Sequence, residues 1–203
     1  MQAATVLSDA MLCAAALAAL ALARPRRLAM AGFALLALAA AIGCLRYGPA
    51  PQLQPLHQGL SFLAGTLGLP LVLLGYTAPR GALLIVGGLL LLSAATWMQP
   101  AARLAVALLT LFGWALLALR DRRRPRVAAA IALGIAASLF AGVFAPQGRA
   151  PNIDLMHYAL ALAQLAFGMA LHVRYKNITT PSPTQARPGE SCGNTHNATP
   201  RSP

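Results

Sequence analysis

The sequence predicts an all-α polytopic membrane protein with seven transmembrane helices, and three observations lead there. Of 203 residues, 58% are hydrophobic and 10% are charged, against about 25% charged in a soluble domain. The apolar residues run in long stretches, not in the alternation of a water-facing helix or strand, and the mean hydropathy is +0.64. The basic residues gather in alternate loops between those stretches, as the positive-inside rule requires.

Seven apolar segments are expected to be helices, at about 4–23, 28–46, 58–76, 81–98, 101–119, 127–145 and 155–173. Each approaches the ~20 residues that carry a helix across a ~30 Å hydrocarbon core. Lipid offers no partner to backbone amides, so such segments must be helical. Helix 1 lacks a basic leading region, carries Asp9, and is followed by Arg24-Pro25-Arg26-Arg27, which marks a retained helix and not a cleaved signal. Helix 2 ends at Arg46 and Tyr47. Helix 3 follows a Pro-rich loop and starts beside His57. Its expected contact face is His57, Ser61, Gly65, Gly68, Val72 and Gly75, where small residues let helices approach closely. Helix 4 carries Trp97 near its end. Helix 5 ends in the Arg120–Arg126 loop, helix 6 follows that loop, and Asp154 is expected to cap the first turn of helix 7. Residues 177–203, rich in Thr, Pro, Ser, Gly and Asn, read as a disordered tail.

Orientation follows from the arginines. With the N-terminus outside, 13 basic residues face the cytoplasm and Arg46, Arg103 and Arg149 face out. Tyr47, Trp97 and Tyr158 then fall at outer helix ends and Tyr76, Trp114 and Tyr175 toward inner ends, as in an interfacial aromatic belt. In that frame the Asn177 and Asn197 glycosylation patterns are cytoplasmic chance matches. The Ala-rich, Arg-dominated composition points to a bacterial inner membrane. A net charge of +12 invites a nucleic-acid partner. Its placement in short loops points instead to membrane lipids, with the Arg120–Arg126 loop drawn to anionic headgroups. Cys13, Cys44 and Cys192 have neither disulfide nor metal-ligand spacing.

A shift of one hundred residues exposes an internal repeat. Arg24-Pro25-Arg26 falls on Arg124-Pro125-Arg126, and GPAPQLQPLH at 48–57 falls on GRAPNIDLMH at 148–157. Leu60, Gly68 and Leu71 continue the match at Leu160, Gly168 and Leu171. Helices 1–3 would then correspond to helices 5–7 around a linker helix 4, a parallel 3+1+3 arrangement. His57 and His157 would be equivalent positions.

Polar groups are scarce in the spans and collect at the outer ends of helices 1, 2, 3 and 7: Ser8, Asp9, Arg46, His57, Ser61, Asp154 and His157. Without its first residues helix 1 would be only about 21 Å long, so spanning draws Asp9 into the membrane. An intramembrane carboxylate is a functional candidate by default. An ion pair with Arg46 is the structural expectation for it. The chemical expectation has Asp9 and Ser61 as catalytic groups, with His57, His157 and Asp154 as ligands of a divalent metal such as zinc that would activate water.

The SDAMLCAAALAAL opening, GCLRYG at the end of helix 2 and DLMHYALALAQ at the start of helix 7 resemble a group of bacterial seven-helix membrane proteins. That group is in turn distantly similar to the superfamily of alkaline ceramidases and progestin/adipoQ-type receptors. The resemblance covers most of residues 5–175. It implies a membrane zinc site of Ser, Asp and three His, including an H-x-x-x-H pair on helix 7. His157 matches the first His of that pair, and Ser61 with His57 its Ser/His element. The chain departs from the pattern at Ala161, where the second His would stand. The 3+1+3 layout also resembles the SWEET-type sugar transporters, which bind substrate near the midplane. Here the midplane offers Thr66 and Gln164. Three functions follow as expectations: non-catalytic lipid or partner binding or sensing, metal-dependent hydrolysis of a lipid amide or ester, and small-solute transport.

Overall fold

The structure is a computed structural model and describes residues 3–77, 81–96, 99–144 and 150–179. Among these residues there are seven continuous helices and no strand. We label them α1 (Ala3–Leu22), α2 (Arg27–Tyr47), α3 (Gln54–Leu63, continuing through a π-helical turn at Ala64–Gly68 into Leu69–Thr77), α4 (Ala82–Thr96), α5 (Pro100–Arg120), α6 (Pro125–Phe144) and α7 (Ala150–Thr179). Five stretches are long and apolar enough to cross a membrane: Ala3–Leu22, Arg27–Tyr47, Pro51–Thr77, Pro125–Gly142 and Ile153–Lys176. Shorter apolar stretches, Leu84–Ala95 and Leu104–Arg120, lie in α4 and α5. The outside of the bundle is apolar, with Leu84 83%, Leu91 76%, Leu109 68% and Leu119 67% exposed. Water would penalise such a surface and hydrocarbon does not. The protein is a membrane-embedded, multi-pass helical bundle.

The helices form a ring. α1 packs on α2 and α7, α2 on α3, α3 on α5, α5 on α6, and α6 on α7. α4 sits outside it, against the π turn of α3 and against α5. The pairs α1–α2, α2–α3 and α7–α1 have counterparts in α5–α6, α6–α7 and α3–α5. Two three-helix units related by an axis along the bundle would make this pattern.

The larger packed core lies toward one end, with a small second cluster of Leu12, Ala15, Ala40 and Ala161 nearer the other. Ala19, Ala29, Phe33, Val72, Tyr76, Trp114, Val127, Ile131 and Phe167 form one buried cluster. All lie toward the end carrying Arg24–Arg27, Arg120–Arg126 and Arg174, hereafter the arginine end. Tyr76 and Trp114 are 1% and 0% exposed. They are core residues, not the members of an aromatic belt that their positions near helix ends suggested, because each turns toward the ring interior and packs against another ring there. At the opposite, histidine end the ring stays hollow.

Three local features depart from the sequence reading. α3 begins at Gln54, so His57 lies within the helix and not at its start. α7 begins at Ala150, so Asp154 is past the first turn and caps nothing there; it accepts a hydrogen bond from another helix instead. The α3 face is broken by the π turn. Pro70 has no N–H and its ring collides with the carbonyl four residues before it, and the helix widens just upstream. As a result Gly65 is exposed with open space around its Cα, whereas Gly68 meets Leu36 and Gly75 meets the Ala29 backbone of α2. Arg80, Trp97, Arg149, Cys192 and the tail beyond Thr179 lie outside the described residues.

Candidate functional site

Asp9 sits two turns into α1 and is 1% exposed. It is reached because α2 presents Gly43 beside it: a Cβ at that position would overlap the Asp9 carboxylate and lie 3.0 Å from Cε1 of His57. Asp9 Oδ1 is 3.2 Å from Nδ1 of His157 on α7. Its expected partner Arg46 does not reach it; that guanidinium lies 4.4 Å from the centroid of the Tyr47 ring. Lying over its own neighbour keeps Arg46 at the helix end, where a charge can stay out of the apolar layer. Asp9 Oδ2 is buried and has no protein partner.

Ser8, 0% exposed, joins the two helices. Its Oγ is 3.0 Å from the Thr5 carbonyl, 2.9 Å from Asp154 Oδ1 and 3.1 Å from His157 Nδ1. One hydroxyl proton serves one acceptor at a time. The set is consistent when Ser8 donates to Asp154 and the His157 Nδ1–H faces Ser8 Oγ and Asp9 Oδ1, both of which accept. The tautomer is then fixed by its neighbours, and His157 Nε2 is left without a protein partner.

His57 Nδ1 is 3.3 Å from the Ala39 carbonyl, which accepts its proton, and Nε2 is 3.5 Å from Ser61 Oγ. Both histidines line one cavity of about 400 Å³ between α1, α2, α3 and α7, with Asp9, Ser61 and Tyr47. It runs past the π turn at Ala64 and Gly65 to Gln164. Gln164 is 0% exposed, and neither its amide oxygen nor its amide nitrogen has a protein partner. The rest of the lining is aliphatic, including Leu12, Leu36 and Leu160. No family model, curated protein or solved structure matches the chain. The site therefore has to be read from its own chemistry.

Of the residues singled out in the sequence, Asp9, His57, Ser61 and His157 share the cavity, and Asp154 joins through Ser8. Arg46 stands aside. The two histidines are not equivalent in their contacts, since His157 meets α1 and His57 meets the α2 backbone. Ser8 and Asp9 both address Nδ1 of His157. A nucleophile–base–carboxylate relay would need them on opposite ring nitrogens. Among the described residues no three His, Cys, Asp or Glu side chains converge as a metal-ligand set. Cys13 and Cys44 are free, with the Cys44 thiol 3.6 Å from the Val6 carbonyl.

Gln164, noted in the sequence as one of two midplane polar groups, is the partnerless floor of the cavity. Sequence reasoning passed over a polar cluster at the arginine end. Tyr76 donates to Asp121 Oδ2 at 2.6 Å, Arg174 Nη1 lies 3.3 Å from the same oxygen, and the Arg174 guanidinium stacks 4.3 Å from the Tyr76 ring centroid. Asp121 is the lone acid in a loop of five arginines, a pattern that could have marked it.

Proposed function

We propose that the protein is a membrane-embedded binding protein. Its ligand would be a small organic cation with an apolar body and hydrogen-bond donors on its charged head. The carrying observation is the Asp9 carboxylate, which lines a largely aliphatic cavity beside His57, Ser61 and His157 and has one oxygen paired to His157 and one unpartnered. A buried polar group without a partner costs about 1–3 kcal/mol, more when charged. A cationic donor seated in the cavity would satisfy Asp9 Oδ2. The Gln164 amide, acceptor and donor at once, would take a second polar group, and the aliphatic walls would hold the body. The arginine bias of the loops supports an orientation with the histidine end facing out of a bacterial inner membrane.

Butylguanidinium is a suitable probe, being permanently charged and rich in N–H donors, and butylurea is its neutral counterpart. Calorimetry on the full chain in lipid nanodiscs should show saturable binding of butylguanidinium and little of butylurea. Asp9→Asn should weaken binding about tenfold or more, since a charge-assisted hydrogen bond contributes about 1.5–3 kcal/mol and about 1.4 kcal/mol is a factor of ten. Equal affinity for the two probes would refute the reading.

A further inference from the structure

The unpartnered buried side-chain atoms among the described residues are Asp9 Oδ2, both polar atoms of the Gln164 amide, Trp114 Nε1 and Arg174 Nε. They are not scattered. On α7, His157, Leu160, Gln164, Phe167, Leu171 and Arg174 recur at three- and four-residue spacing and so share one face. From His157 to Arg174 that face runs about 25 Å, most of a ~30 Å hydrocarbon core. Trp114 of α5 stacks on Phe167 of this face at 4.4 Å between centroids. A trail of polar atoms without protein partners thus follows the inside of the ring from the histidine end to the arginine end.

The trail is open over its first half and shut over its second. The cavity reaches from Asp9 to Gln164. Beyond it the Trp114–Phe167 stack fills the ring, with Tyr76 edge-on to Trp114 at 5.2 Å. Asp121 then ties Tyr76 of α3 to Arg174 of α7. Most buried polar groups in folded proteins have a hydrogen-bond partner. This cluster leaves Trp114 Nε1 and Arg174 Nε without a protein partner, and parting α3 from α7 would offer both to water or solute.

We propose that the protein is a carrier that moves its organic cation across the membrane. The structure is then the state open at the histidine end, with Tyr76, Asp121 and Arg174 as the gate at the arginine end. The proposal rests on the binding reading above and adds a second state to it. Opening the gate parts α3 from α7 where Asp121 joins them. The π turn of α3, which lines the cavity on the gate side of His57 and Ser61, is where that helix is least regular and able to bend.

The full chain in liposomes preloaded with unlabelled butylguanidinium should accumulate labelled butylguanidinium by counterflow, above protein-free vesicles, and should not accumulate butylurea. Tyr76→Phe and Asp121→Asn touch the gate and not the cavity. Each should change the counterflow rate about tenfold, the equivalent of one charge-assisted hydrogen bond, while nanodisc affinity for butylguanidinium stays within about twofold. A second readout is a reporter thiol at the gate, Leu171→Cys in a chain whose three native cysteines are serine. A soluble maleimide should label it slowly in the parent and faster with Asp121→Asn. Binding without counterflow overturns the carrier and leaves the binding reading standing. Loss of both overturns the binding reading itself. Counterflow and labelling indifferent to Tyr76→Phe and Asp121→Asn overturn the gate.

Discussion

At the residue scale, one glycine decides whether the carboxylate can occupy its place. The Cβ of an alanine at position 43 would overlap the Asp9 carboxylate, with Cγ at 2.8 Å. Gly43→Ala should therefore destabilise the protein by about 1–3 kcal/mol through overpacking, read as a lower melting temperature in detergent. Adding Asp9→Ala to Gly43→Ala should recover part of that loss, because the two changes share one contact and cannot be additive. Strictly additive effects would mean that the alanine is accommodated elsewhere. Asp9 itself was legible in the sequence, because helix 1 cannot span without drawing it inward. Its partner was not. Arg46 lay at the right depth, but depth along a helix says nothing about rotation. The nearer group is His157, brought in by the packing of α1 on α7, whose residues stand about 150 positions away.

At the scale of the element, α3 shows how a helix pattern can be right in period and wrong in part. The small residues at 65, 68 and 75 share a face in an unbroken α-helix, and two of them do pack on α2. The third does not, because the π turn ahead of Pro70 adds width where Gly65 stands. Gly75→Ala places a methyl against the Ala29 backbone, and a cost of about 1–3 kcal/mol is expected. Gly65→Ala meets nothing within 4 Å and should be near neutral in the same melting experiment. Equal losses at both positions would argue for a regular helix. The signals for the turn, two glycines and a proline within six residues, were present in the sequence. They were read as packing, since small residues serve both purposes.

At the scale of the whole molecule, hydropathy and loop charge carried the fold: seven helices, apolar outside, basic residues gathered toward one end. The ring order is compatible with the hundred-residue repeat, which pairs helices 1–3 with 5–7. The uneven filling of the ring was not visible, because apolar residues facing lipid and apolar residues facing a core look alike in one dimension. The proposed orientation is tested by fusing a reporter to the C-terminus. Alkaline phosphatase should be inactive there and green fluorescent protein fluorescent. The reverse pattern would place the histidine end in the cytoplasm.

Contact between the first helix and the last also sets an order of events during synthesis. Ser8 and Asp9 emerge from the ribosome before most of the bundle exists, yet their partners Asp154 and His157 follow 146 to 149 residues later. Until α7 inserts, α1 must keep an acid and a hydroxyl inside the bilayer with half of its neighbours missing. Such groups are expensive to leave facing lipid. An incomplete chain thus carries a built-in flaw that the last helix removes.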